Sequence, residues 1–103
     1  MLERDIRKAL KERVEAYGGE VRAVAWLGRA HAPDVLCMFP SGSRGSNRLW
    51  HGRFGVSVWV EAKAPGGKPR PGQLREHERM RAAGCGVIVI STLEQLDAWL
   101  PPI

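Results

Sequence analysis

The stretch from about Phe54 to Lys63 limits the fold more than any other part of the sequence. Val56, Val58, Val60 and Ala62 alternate with Ser57, Trp59, Glu61 and Lys63. That is the period of a strand whose successive side chains point to opposite faces. One face carries an apolar row suited to a core. The other brings Glu61 and Lys63, two residues apart, to the same side. A carboxylate and an ammonium backed by a buried row suit a metal ion and a water, and Asp34 could supply a second carboxylate.

The remaining elements fall around this strand. Ile6, Leu10, Val14 and Tyr17 recur at helical spacing, with Arg4, Arg7, Lys8, Lys11 and Glu12 on the other side, which predicts a helix from Leu2 to Tyr17. Gly18-Gly19 ends it. Glu20 to Leu27 reads as a strand and Gly28 to Ala32 as a loop. Pro33 cannot sit inside a sheet, so a second strand runs from Asp34 to Phe39. Pro40 to Asn47 is a turn or flexible loop rich in Ser and Gly. The strand at Phe54–Lys63 is then third and central. Pro71 opens a helix reaching Ala83, with Gly84 as its stop. Gly86 to Ser91 is an unbroken apolar run, read as a strand buried on both sides. Thr92 caps a last helix from Leu93 to Leu100, ended by Pro101-Pro102. The predicted order is α-β-β-β-α-β-α, a small mixed α/β sheet with helices packed on it.

At 103 residues the chain is expected to form a single domain over residues 1–103. Its 44% hydrophobic and 26% charged residues exclude a disordered chain. A net charge of +5 and a pI near 9.9 favour a polyanionic partner. The longest apolar stretch is far too short to span a bilayer, and Met1 to Asp5 lacks the layout of a signal peptide. Cys37 and Cys85 fit neither a metal-binding spacing nor a disulfide scaffold. Two free thiols in a cytoplasmic protein is the expectation.

Asp34, Glu61 and Lys63 together suit phosphodiester chemistry. Breaking that bond requires an activated water, neutralised phosphate charge and a stabilised leaving oxygen, and a divalent cation held by carboxylates can provide all three. Mg²⁺ prefers oxygen ligands and keeps several waters when only one or two carboxylates bind it. The backbone carbonyl of Ala62 lies between the two functional side chains and could be a third ligand. Lys63 could orient the attacking water or steady the phosphate. Gln73, opening its helix, could reach the same pocket. Glu3, one turn before Ile6 on the apolar stripe, is either an inward-facing acid or an ordinary first-turn acid favoured by the helix dipole. A bare E-x-K usually means a surface ion pair. The ordered set is rarer: Pro33-Asp34, then Glu61-Ala62-Lys63 on an apolar strand, then Pro71-Gly72-Gln73.

That set resembles the PD-(D/E)xK nuclease superfamily, whose fold is restriction-endonuclease-like, and within it the virus-type replication-repair nuclease (VRR-NUC) family. The resemblance runs over nearly the whole chain. It begins at the glutamate near the start and Gly18-Gly19, takes in Ala32-Pro33-Asp34 and Val60-Glu61-Ala62-Lys63, and continues from Lys68 to Gln73 and on to Ala83-Gly84 and the final strand. It implies Asp34 and Glu61 as metal ligands with the Ala62 carbonyl, Lys63 as catalytic, Gln73 as part of the site, and Glu3 as a further contributor. It also implies Mg²⁺- or Mn²⁺-dependent cutting of DNA, often flaps or four-way (Holliday) junctions. Stand-alone members of this size look like phage or prophage proteins and are expected to be homodimers. One departure stands out: a glycine is usual two residues before the Pro-Asp pair, and here that position is His31. If the glycine serves a positive φ, histidine would strain the loop.

Arg44, Arg48, Arg53, Lys68 and Arg70 flank the expected site and could clamp a DNA backbone; their bland reading is solubilising charge. His77, on the stripe of Gln73 and Met80, reads as a partly buried, hydrogen-bonded histidine. Trp59 shares the face of Glu61 and could stack on a base or pack under the first helix. Trp26, Trp50 and Trp99 read as core or dimer interface. The leading expectation is a metal-dependent endonuclease selective for DNA structure. The alternative is a catalytically impaired DNA-binding module of the same fold.

Overall fold

Among the described residues four strands and three helices follow the expected order. The computed structural model describes residues 1–41 and 55–103. They form α1 (Glu3–Ala16), β1 (Glu20–Ala23), β2 (Val35–Phe39), β3 (Val56–Ala62), α2 (Pro71–Ala82), β4 (Gly86–Ile90) and α3 (Leu93–Trp99). Arg44, Arg48, Trp50, His51 and Arg53 lie outside the described residues.

The sheet order is β1-β2-β3-β4. β1 and β2 pair antiparallel, as do β2 and β3, while β3 and β4 run parallel. The antiparallel pairs need only loops between them. A parallel pair needs a crossover, which α2 provides. β3 therefore has a neighbour on each side, in the central place expected of the longest strand.

The two sheet faces carry different helices. Ile6, Leu10, Val14 and Tyr17 of α1 join Leu96 and Leu100 in one core with Val35, Cys37 and Phe39 of β2 and Val58, Val60 and Ala62 of β3. The register explains this selection, since Val35 lies opposite Val60 and Cys37 opposite Val58, so both alternating rows face the same way. Burying each such aliphatic side chain contributes about 1.5–3 kcal/mol. The Cys37 thiol sits in this core, and burial pushes its pKa up to about 12, which leaves it chemically inert. Trp99 meets Phe39 edge-on, with ring centroids 5.9 Å apart. α2 covers the opposite face, where His77 reaches Glu61.

Helix ends use local devices. Asp5 accepts a 2.6 Å bond from the Leu2 N–H, satisfying one of the free donors at the start of α1. Thr92 caps α3 by accepting from the Gln95 N–H at 3.1 Å. Gly84 takes φ +96° just after α2, a left-handed stop that a side chain would strain. Gly19 leaves α1 where a Cβ would sit 2.5 Å from the Met38 carbonyl oxygen, so β1 approaches β2 only because no side chain intervenes.

Three sequence expectations shift. β1 ends at Ala23 rather than Leu27. Val24 still donates to the Asp34 carbonyl at 2.8 Å, but Trp26 then folds back and its indole N–H donates to the Pro33 carbonyl at 2.7 Å. Leu27 is left almost fully exposed. β4 is an edge strand with Ile88 and Val89 only half-buried, so its apolar run does not mean burial on both sides. Trp59 also faces away from α1: it packs on Trp26, with centroids 4.8 Å apart.

Candidate active site

The candidate positions Asp34, Glu61 and Lys63 lie at one end of the β2–β3 pair. Val35 pairs with Val60, so one further step of that antiparallel register sets Asp34 across from Glu61. The next step sets Pro33 across from Ala62. The Lys63 N–H donates to the Ile90 carbonyl at 3.0 Å, which turns residues 61 and 63 of the β3 backbone toward β4 and residue 62 toward β2. Proline has no N–H to donate. The ladder thus offers the Ala62 carbonyl no donor, and Pro33 leaves an acceptor open next to the Asp34 and Glu61 positions.

Glu61 is 6% exposed. Its Oε1 lies 3.3 Å from His77 Nε2, and a carboxylate only accepts, so the Nε2–H donates. His77 is fully buried and its Nδ1 has no hydrogen-bond partner among the described residues. Its register on α2 puts it one turn beyond Gln73, on the stripe facing the sheet. Lys63 is half-buried and makes no ion pair among the described residues.

Asp34 and Glu3 are held together by a residue whose role sequence reading misses. Arg7 donates from Nη2 to Asp34 Oδ1 at 3.1 Å and from Nε to Glu3 Oε2 at 3.2 Å. Partial burial works against the charged guanidinium, but Asp34 and then Glu3 outweigh it and hold its pKa above the ordinary value. Glu3 thus joins the Asp34 end of the site through Arg7. The clue available in the sequence is the i, i+4 spacing of Glu3 and Arg7. Gln73 stands at the third position of α2, where its Oε1 accepts from the Arg70 N–H at 2.8 Å. Its carbonyl end therefore caps the helix, and the amide NH₂ remains for other partners. Lys68 and Arg70 flank it on the connection into α2, with Arg70 exposed.

Among the described residues no three Asp, Glu, His or Cys side chains converge as a metal cage. Mg²⁺ does not require one. The donor chemistry suits such an ion: the backbone register sets the Asp34 and Glu61 positions opposite each other, with Asp34 reaching Arg7 of α1 and Glu61 reaching His77 of α2, and a strand carbonyl lacks its ladder donor. The Arg7 guanidinium between Glu3 and Asp34 shows the same demand for positive charge at this end.

The loop before Asp34 is clamped to α2. His31 has φ +69°, the only non-glycine residue with positive φ among those described, as the glycine usual at this position implies. Its ring lies over Gly72, where an added Cβ would come within 2.9 Å of the imidazole. Arg29 makes a two-point bond to the buried Glu76 carboxylate, through Nε at 3.1 Å and through Nη2, and Arg79 adds a bond at 3.1 Å. The Arg29 bond, ahead of Arg79, holds the Glu76 carboxyl below its ordinary value of 4.5. No spacing in the sequence points to this cross-link, because its partners are far apart along the chain.

That lowered pKa has a pH consequence. A carboxyl whose pKa is depressed on folding stabilises the protein above its unfolded pKa, and the contribution is lost as pH falls through the folded value. Glu76→Gln should therefore lower the urea midpoint at pH 7, and the difference from the parent should shrink as pH falls below about 4.5. A difference that stayed constant with pH would mean the ion pairs contribute nothing. For His31→Gly, relief of about 1–2 kcal/mol of left-handed strain opposes a glycine entropy cost of about 0.5–1 kcal/mol. Thermal stability should stay within about 1 kcal/mol of the parent on these terms, and activity should be unchanged or higher. Lost activity at unchanged stability would give the ring a role of its own.

A solved structure described as a "VRR_NUC domain" superposes with a TM-score of 0.74 and 41% sequence identity, over 93% of this chain and 90% of that one. A protein of Acyrthosiphon pisum secondary endosymbiont phage 1 named "Putative nuclease p44" is 37% identical over 101 residues, 98% of this chain and 94% of its own length. The chain belongs to the VRR-NUC family. No family model matches it; membership rests on similarity along the whole chain and on the shared fold. The VRR-NUC architecture accounts for the four-stranded mixed sheet with helices on both faces.

Proposed function

We propose that this VRR-NUC chain is a metal-dependent DNA endonuclease that selects branched DNA, such as four-way junctions or flaps, and works as a homodimer in phage replication, recombination or repair. The observation that carries the reading is the register at the end of β2 and β3. That register, extended by one step, supports the reading: the Asp34 position lies opposite that of the buried Glu61, two residues before Lys63, and Pro33 leaves the Ala62 carbonyl without a ladder donor. Mg²⁺ or Mn²⁺, when bound, supplies charge neutralisation on the phosphate and a more acidic water.

The chain's own residues do the rest. Asp34, Glu61 and the Ala62 carbonyl would hold the ion. Glu3 acts through its shared contact with Arg7. His77 fixes the rotamer of Glu61 by donating to one oxygen, leaving the other free. Lys63 places a positive charge beside the scissile phosphate. The Gln73 amide NH₂, its carbonyl tied to the helix start, can donate to a phosphate oxygen. Lys68 and Arg70, with Arg44, Arg48 and Arg53 outside the described residues, would grip the backbone without reading bases. One site makes one nick, so symmetric resolution of a junction needs two sites related by a two-fold axis. Among the described residues no helix is long and apolar enough to cross a membrane.

The positive φ of His31 favours one second reading, a DNA-binding module whose strained loop has impaired the chemistry. Cleavage of labelled four-way junction, flap and linear duplex in Mg²⁺, Mn²⁺ or EDTA separates the two. Metal-dependent cutting supports the enzyme. Tight binding without cutting in any metal supports the module.

A further inference from the structure

The segment between β1 and β2 carries Asp34, yet apolar burial does not hold its tip. Leu27, Gly28, Arg29, Ala30 and His31 are all exposed. Gly28 and His31 take left-handed backbone, with φ +72° and +69°, on either side of Arg29 and Ala30. At its base the segment is closed on itself, by the Val24 N–H on the Asp34 carbonyl and the Trp26 indole on the Pro33 carbonyl. At its tip it reaches α2, through the Arg29 fork on the Glu76 carboxylate and the His31 ring over Gly72. Glu76 is 4% exposed, and a charge-assisted fork fixes direction as well as distance. The next residue of α2 is His77, whose Nε2 lies 3.3 Å from Glu61 Oε1. Successive helix residues point about 100° apart, so Glu76 and His77 can hold partners on two different elements.

We infer that Arg29 and Glu76 are positioning residues for Asp34, because their bond ties the Asp34 segment to the helix that holds Glu61. Among the described residues this two-point contact is the one side-chain hydrogen-bonded link between that segment and α2. Asp34 itself is bonded from α1 by Arg7, and Glu61 from α2 by His77. Asp34 also lies just beyond Val35, the last paired residue of β2, so the ladder leaves it a margin of movement that the tie removes. Contacts that support metal ligands from behind are worth about 10–100-fold in metal affinity or activity. The inference rests on the reading of Asp34 and Glu61 as the ion's carboxylates, and it is tested on metal binding, apart from cutting.

The test is the apparent Kd for Mn²⁺, fitted from the rise in melting temperature, in the parent and in Arg29→Leu/Glu76→Leu. The pair variant leaves no unpaired buried carboxylate, and replacing a buried ion pair by apolar side chains is often neutral for stability. It also removes one charge of each sign, so a changed Mn²⁺ affinity would not report an altered net charge. Arg13→Leu/Asp97→Leu is the control, since its 2.8 Å ion pair joins α1 to α3, about 15 Å along α1 from Glu3. The Kd should rise about 10–100-fold in the first pair variant and should not move in the control. Arg29→Lys keeps the charge but loses the fork, so its Kd should rise by less; it decides the matter should the leucine pair not fold. An unshifted Kd in these Arg29 variants, or an equal shift in the control, overturns the positioning role. Cleavage of labelled four-way junction, run in parallel, keeps the two readings apart. The expected shift in a parent that cuts no DNA removes the enzyme alone. A parent that gains no stability from Mn²⁺ removes the metal site and the positioning role together.

Discussion

Glu61→Gln is expected to abolish metal-dependent cleavage, by about a thousandfold or more, the scale of losing a group that acts on the transition state, while DNA binding in EDTA stays near that of the parent. The substitution keeps the shape of the side chain and its contact with His77, but removes a charge from a site that is 6% exposed. An amide oxygen is a far weaker ligand for a hard cation than a carboxylate. Among the described residues Asp34 is the one carboxylate that the register sets opposite this position, and Arg7 bonds both Asp34 and Glu3. Binding should survive because it rests on cations outside the carboxylate pair. The folded state should also hold. A buried carboxylate that has only a histidine beside it among the described residues is costly, so the metal-free variant should melt no lower than the parent. What should vanish is the rise in melting temperature that Mn²⁺ gives the parent through preferential binding to the folded state. A variant that still cut DNA, or still gained stability from Mn²⁺, would take Glu61 out of the site.

The sequence carries this site in its alternation. Val56, Val58 and Val60 define which face of β3 is buried, and that decides the side on which Glu61 and Lys63 emerge. Pro33 and Pro71 mark where β2 and α2 can begin. These are backbone constraints, legible without tertiary information, and the element order follows from them. The departures at β1 and β4 have one cause. Propensity does not distinguish a strand that continues from one whose apolar residues turn elsewhere, as Trp26 does to reach Pro33. Nor does an apolar run reveal whether a strand has one neighbour or two.

Side-chain partnerships across elements are the part that periodicity does not carry. By helical spacing Arg7 belongs with the solvent-facing cations of α1, yet it bridges Glu3 and Asp34, 27 residues apart from the latter. Spacing puts His77 on the inner stripe of its helix, but its position opposite Glu61 depends on the crossover that seats α2 on that face. The i, i+3 spacing to Arg79 marks only a local pair for Glu76, and the larger share of its compensation comes from Arg29 in a distant loop. His31 is the instructive case. An expected positive φ at that position follows from the usual glycine, and the backbone adopts it. Only the structure shows Gly72 making room for the ring.

Lys63→Ala is expected to lower the cleavage rate by about a hundred- to a thousandfold, the usual effect of removing one preorganised charge from a developing transition state. Its effects should separate from those of Glu61→Gln. Lys63 shares the strand face of Glu61, is half-buried, and has no ion-pair partner among the described residues. Its ammonium is therefore not tied up in a structural bridge, and its loss should leave stability within about 0.5 kcal/mol of the parent. Removing a positive charge cannot weaken the carboxylates' hold on a cation, so the Mn²⁺-induced stabilisation should remain or increase. Single-turnover cleavage with saturating enzyme isolates the chemical step: the rate should fall while the apparent Kd for DNA changes by less than the roughly tenfold expected of a phosphate-clamping residue. Lys63→Arg keeps the charge but replaces a compact ammonium with a broad fork, so it should recover only part of the rate. If Lys63→Ala weakened DNA binding as much as it slowed cutting, Lys63 would be one more backbone contact, and the positive charge at the scissile phosphate would have to come from Arg7.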